Sequence, residues 1–119
     1  MFLNSKHENL EVYKASRAFT ISCYRASRLL PPEERFHMTR QLRRAALSVH
    51  LNLAEGCSRR TKPDRKRSFE ISRGSVTEID ALLEIAVDQS YFQKKQLSEP
   101  GETMTSCYRL LCLLISSNE

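Results

Sequence analysis

Apolar residues recur along this chain at helical spacing, and no stretch alternates as a strand would. Val12, Phe19, Cys23, Ala26 and Leu30 follow one another at steps of three, four or seven, which is one face of a helix. Tyr13, Ile21 and Tyr24 widen that face, and Pro31-Pro32 closes it because the residue before a proline avoids the α region. The first helix is therefore predicted over about 10–30. Leu42, Ala46, Val49 and Leu53 make a second stripe, with Glu33 and Glu34 in an expected first turn and Gly56 as an expected stop, giving a helix over 33–56.

Thr61-Lys62-Pro63-Asp64 has the form of a helix start, with Thr61 as cap and Pro63 in the first turn. Behind it Phe69, Val76, Ile79, Leu83 and Ala86 share one stripe, predicting a third helix over 63–90. Ser98-Glu99-Pro100-Gly101 is expected to break the chain. Met104, Tyr108, Leu111 and Ile115 then form the stripe of a fourth helix over 101–117. Four helices with short connections predict an all-α, up-down-up-down antiparallel four-helix bundle. The chain has 119 residues, a length suited to one domain spanning 1–119, with 1–8 expected to be a flexible lead.

The second helix also carries a polar row. Gln41, Arg44, Ser48, Asn52, Glu55 and Arg59 follow steps that keep them on one side. Ser68, Ser72 and Ser75 line the third helix, with Glu78 beyond them and Gly74 expected to permit a close backbone approach. These residues are either a solvated face or a structural polar seam in which Gln41, Arg44, Asn52, Glu55, Ser75 and Glu78 satisfy one another. The seam is the favoured reading, because the flanking residues are small or apolar.

Charge adds a feature that periodicity does not show. Residues 40–73 contain ten of the nineteen Lys and Arg but three of the fourteen acids, a formal +7. Residues 74–119 carry −4, from three basic and seven acidic side chains. The densest cationic run is Arg59, Arg60, Lys62, Arg65, Lys66 and Arg67. A field of one sign confined to one region points to an anionic partner or a subunit contact rather than to catalysis.

Candidate chemistry is sparse. Cys23, Cys57, Cys107 and Cys112 form no C-x-x-C pair, and His7, His37 and His50 are not at zinc-site spacing, so neither a metal nor another cofactor is expected. Glu34-x-x-His37 stands alone, whereas a di-iron bundle needs two such motifs. Ser75 lacks the flanking glycines of a nucleophile elbow. No catalytic residue is assigned, and an enzyme is not expected. No secretory signal or membrane-spanning run is visible, so a reducing cytoplasm is the expected compartment, with the cysteines as core hydrophobes.

Several segments together resemble a known bacterial family. They are Gln41-Leu42-Arg43-Arg44-Ala45-Ala46, Asn52-Leu53-Ala54-Glu55-Gly56 and Gly74-Ser75-Val76-Thr77-Glu78, preceded by Asn9-Leu10-Glu11-Val12-Tyr13. They are similar to the four-helix-bundle 23S ribosomal RNA intervening-sequence proteins, and the likeness runs from about Asn9 to Ile115. The resemblance implies a homopentamer with a central channel. It also implies kinship with accessory proteins of diversity-generating retroelements, which bind nucleic acid and a reverse transcriptase. The motif positions Arg43, Arg44, Asn52, Glu55, Gly56, Ser75 and Glu78 read as structural. Tyr13 stands where many members have tryptophan, and the second connection is unusually basic. The expected function is a non-enzymatic oligomer that binds structured RNA, DNA or a retroelement RNA–protein complex through 59–67. The alternative is a scaffold whose basic segment serves subunit contacts.

Overall fold

The computed structural model describes all residues 1–119. It contains α1 (Glu11–Ser27), α2 (Met38–Ser58), α3 (Lys62–Asp88) and α4 (Ser98–Ser116), with short 3-10 turns at Lys6–Asn9, Pro32–Glu34 and Lys94–Leu97 and no strand. The helices form an up-down-up-down bundle in which α1 touches α2 and α4 while α3 touches α2 and α4. The bundle measures 44 × 30 × 24 Å.

The core is built from the stripes. Phe19 and Cys23 of α1, Leu42, Val49 and Leu53 of α2, Phe69, Val76 and Ile79 of α3, and Cys107 and Leu111 of α4 are all buried. Buried hydroxyls fasten neighbouring helices through carbonyls. Thr20 donates to the Ala46 carbonyl at 3.0 Å and Ser72 to the Val49 carbonyl at 2.6 Å. Each such bond lets a small polar side chain sit inside without an orphaned donor.

Three helix boundaries depart from the sequence expectation. The last turn of the first helix tightens before Pro31, with Leu29 N–H donating to the Ala26 carbonyl and Leu30 N–H to that of Ser27. Glu33 does not open α2. Pro32–Glu34 makes a separate 3-10 turn, and His37 at φ −121°, ψ −94° resets the backbone before Met38. Glu34 still serves the helix from outside, accepting the Met38 N–H at 3.3 Å and the Tyr91 hydroxyl at 2.8 Å. Ser98–Gly101 does not interrupt α4 but forms its first turn, where Pro100 has no intrahelical partner to lose.

Gly56 is likewise not a stop. It lies buried inside α2, and a Cβ there would meet Phe69 Cε1 at 2.6 Å. The expected close approach is thus at Gly56, whereas a Cβ on Gly74 would have no neighbour within 4 Å. The third helix ends as a Schellman motif. Ser90 takes the left-handed φ of 64°, Ser90 N–H donates to the Val87 carbonyl, and Tyr91 N–H to the Ala86 carbonyl. Within the lead, Lys6–Asn9 is a 3-10 turn, and the His7 ring stands 5.1 Å from that of Tyr13.

Candidate nucleic-acid interface

The basic segment occupies the corner where α2 hands over to α3. Arg59, Arg60 and Thr61 alone connect the two helices. Thr61 caps α3 by accepting the Asp64 N–H at 3.3 Å, as its sequence pattern predicts. Arg65, one turn into α3, turns back over the connection. Its Nη1 donates to the carbonyls of Arg60 at 2.8 Å and Arg59 at 3.2 Å, and its Nε donates to Asn118 Oδ1 at 2.9 Å. A guanidinium has several donors in a fixed fork, which suits it to gathering carbonyls from a tight turn.

The six cations of the segment therefore divide by task. Arg65 holds the turn. Arg59 pairs with Glu55, and Lys66 Nζ lies 3.7 Å from a Glu119 carboxylate oxygen. Arg60, Lys62 and Arg67 are exposed and have no ion-pair partner. The corner is not uniformly positive. Arg59 and Arg67 share a shallow depression with Glu55 and Asp64, and Asn52, Ser68 and Ile71 line the rest.

The polar row runs along the outer groove between α2 and α3. Gln41 donates to Glu78, Ser75 donates to Ser48 Oγ at 2.8 Å, and Asn52 donates back to the Ser48 carbonyl at 2.9 Å. Glu55 is engaged by Arg59, while Arg44 points to solvent without a partner. Gln41, Arg44, Glu55 and Glu78 are exposed, and Ser48, Asn52 and Ser75 are half-buried. The row is thus a chain of single links, two across the groove and two along α2, rather than a set of buried charges.

Sequence reasoning passes over two features. Asn118 anchors Arg65, a link between positions 53 residues apart that no local pattern marks. The other is a polar and aromatic group between α1 and α2. His50 Nδ1 lies 2.7 Å from Ser16 Oγ, and its ring centroid is 4.6 Å from that of Tyr13. Ser16 is buried, and its hydroxyl donates to the Tyr13 carbonyl at 3.0 Å, so its one proton is spent on the backbone. Burial, then Arg17 and His7, hold the His50 imidazole below its ordinary pKa.

The remaining reactive groups are the four cysteines. Burial pushes the Cys23 and Cys107 thiols up to about 12, and at Cys23 the neighbouring Cys107 adds to the effect. The other two cysteines are free and half-buried. No group of three or more His, Cys, Asp or Glu side chains is placed to hold a metal ion. No helix is long and apolar enough to cross a membrane.

This architecture has a solved counterpart. A protein of unknown function from the S23 ribosomal protein family of Bacteroides thetaiotaomicron VPI-5482 superposes with a TM-score of 0.80. It is 22% identical, and the alignment covers 87% of this chain and 97% of that one. At that identity the likeness establishes the fold alone. No curated protein matches the chain. The profile of the 23S rRNA-intervening sequence proteins matches residues 8–112, which takes in every bundle helix except the last turn of α4 and both polar rows. On that match, the chain belongs to the 23S rRNA-intervening sequence protein family.

Proposed function

We propose that this protein is a non-catalytic, self-associating bundle that binds the phosphates of structured nucleic acid at the α2–α3 corner. The observation that carries the reading is a free trio, Arg60 on the turn that Arg65 fixes and Lys62 and Arg67 in the first turns of α3. The backbone under Arg60 is fixed, so only side-chain freedom is lost there when phosphates arrive. Phosphate contacts of this kind position a protein on RNA or DNA without reading its sequence.

Self-association is supported by the apolar residues beside the polar row. Leu51 is 57% and Ile71 49% exposed, and Leu47 lies one turn before Leu51. A ring of five copies belongs to this reading and would repeat the corner five times around one axis. An RNA–protein complex containing a reverse transcriptase is the partner that the family kinship suggests.

Fluorescence anisotropy with a structured RNA across a salt series tests the proposal. Wild-type affinity is expected to fall steeply and linearly in log–log form. Changing Arg60, Lys62 and Arg67 together to alanine is expected to flatten the slope by roughly two units, at ~0.7 per lost phosphate contact. Arg65→Ala is expected instead to lower thermal stability, because it frees two carbonyls and Asn118. Absence of binding at low salt by the wild-type assembly would leave the scaffold reading, with the trio reassigned to subunit contacts.

A further inference from the structure

The bundle has two unpartnered surfaces of matching length and opposite charge. One is the outer stripe of α2, where Arg40, Arg44, Leu47 and Leu51 are all exposed. Their steps of four, three and four place two cations and then two leucines along one line of the helix. Neither arginine has an ion-pair partner within the chain. The eleven steps from Arg40 to Leu51 span about 17 Å at ~1.5 Å per residue.

The other surface is the groove between α3 and α4. Adjoining depressions along it share Asp80, Met104 and Thr105, and the one between Val76 and Tyr108 has a volume of about 430 Å³. Its floor is apolar, from Val76, Leu83, Val87 and Met104. Asp80, Glu84 and Asp88 line it from α3 and Glu102 from α4, and none of the four is ion-paired within the chain. Lys94 and Arg109 also line it, so acids outnumber bases there by four to two. From Thr77 to Asp88 the groove likewise extends about 17 Å along α3.

We propose that the α2 stripe of one copy seats in the α3–α4 groove of the next. Leu47 and Leu51 cover the apolar floor, while Arg40 and Arg44 meet Glu84 and Asp88. The proposal rests on the self-association reading above and names the two faces that carry it. The faces are different surfaces of one subunit, so each copy gives with α2 and receives with α3–α4 at once. Such a head-to-tail contact closes into a ring when its rotation permits. A two-fold pairing of α2 stripes would instead leave the four groove acids unmet.

Sedimentation velocity on the full chain without nucleic acid tests it by charge exchange. Arg40→Glu with Arg44→Glu is one variant, and Glu84→Lys with Asp88→Lys is the other. All four positions are exposed, and circular dichroism checks that the helices persist. Each variant is expected to weaken assembly at least roughly tenfold through like-charge contacts, and combining the two is expected to restore it. Leu51→Ala, at a side chain that is 57% exposed in the monomer, is expected to weaken assembly as well. Weakening by both variants without restoration would overturn the pairing of these faces while leaving self-association standing. Unchanged assembly in both would overturn it too. A wild-type chain that stays monomeric at high micromolar concentration would overturn the self-association reading itself.

Discussion

Gly56→Ala is expected to destabilise the protein by about 2 kcal/mol, although alanine normally improves a helix interior by ~1 kcal/mol. The reason is the ring on the facing helix. A methyl at position 56 would sit 2.6 Å from Phe69 Cε1 and 2.8 Å from Cδ1, with Ser68 Cβ at 3.0 Å. Phe69 is 1% exposed, so its ring is packed into the core. The two helices must therefore part, or the ring must leave its rotamer, and both lose contacts along the longest interface of the bundle. Thermal and urea unfolding of Gly56→Ala, Phe69→Leu and the double variant check this. In the Phe69→Leu background the same alanine is expected to be neutral or stabilising, because the clash is gone and the helix preference remains. Equal costs in both backgrounds would show that the ring is not what demands glycine.

The second large effect is alkaline. Cys23 and Cys107 are neutral in the fold with pKa values of about 12, against 9.0 for an ordinary thiol. The unfolded chain therefore releases their protons first. Their contribution is fully present below pH 9.0 and is lost as the pH rises toward about 12. Near pH ~10.5 each thiol is expected to remove about 2 kcal/mol of stability. Urea denaturation at stepped pH, compared with Cys23→Ala/Cys107→Ala, separates this from lysine and tyrosine titration. The double variant is expected to start lower, because it leaves a cavity, and to fall less steeply above pH ~9. Parallel curves would mean that the thiols do not set the alkaline limit.

The helices and their buried stripes were legible because burial of one helical face imposes a period that a sequence cannot hide. Phe19, Leu53, Ile79 and Leu111 stand at stripe centres and are fully buried or nearly so. The misread boundaries share a different cause. Prolines and acids signal a helix start, but the same residues suit a 3-10 turn, and a contact between distant residues decides between them. Glu34 belongs to such a turn, and Tyr91, 57 positions away, holds its carboxylate there. Ser98–Gly101 looks like a break, yet the first turn of a helix asks no intrahelical N–H bond of Pro100.

At the corner the sequence showed the density of cations but not their division of labour. Arginine and lysine side chains are long enough to reach a phosphate, a carboxylate or a carbonyl with equal ease. Only the fold brings the Arg59 and Arg60 carbonyls and Asn118 under Arg65. The polar row was legible as a row. Its connectivity was not, since Glu55 has Arg59 one turn away on its own helix and takes it in preference to a partner across the groove.

The three-residue passage from α2 to α3 also orders events in time. Closing so short a loop costs little chain entropy, whereas α4 must wait for the longer passage from Gln89 to Leu97. The α2–α3 hairpin is thus expected to be the part already assembled when the chain crosses its folding barrier. Stopped-flow folding should then show Gly56→Ala acting mainly by slowing folding, and Leu111→Ala in α4 mainly by hastening unfolding. The reverse pattern would place the nucleus elsewhere. On this view the hairpin end that carries the cations is among the first surfaces the folding chain displays.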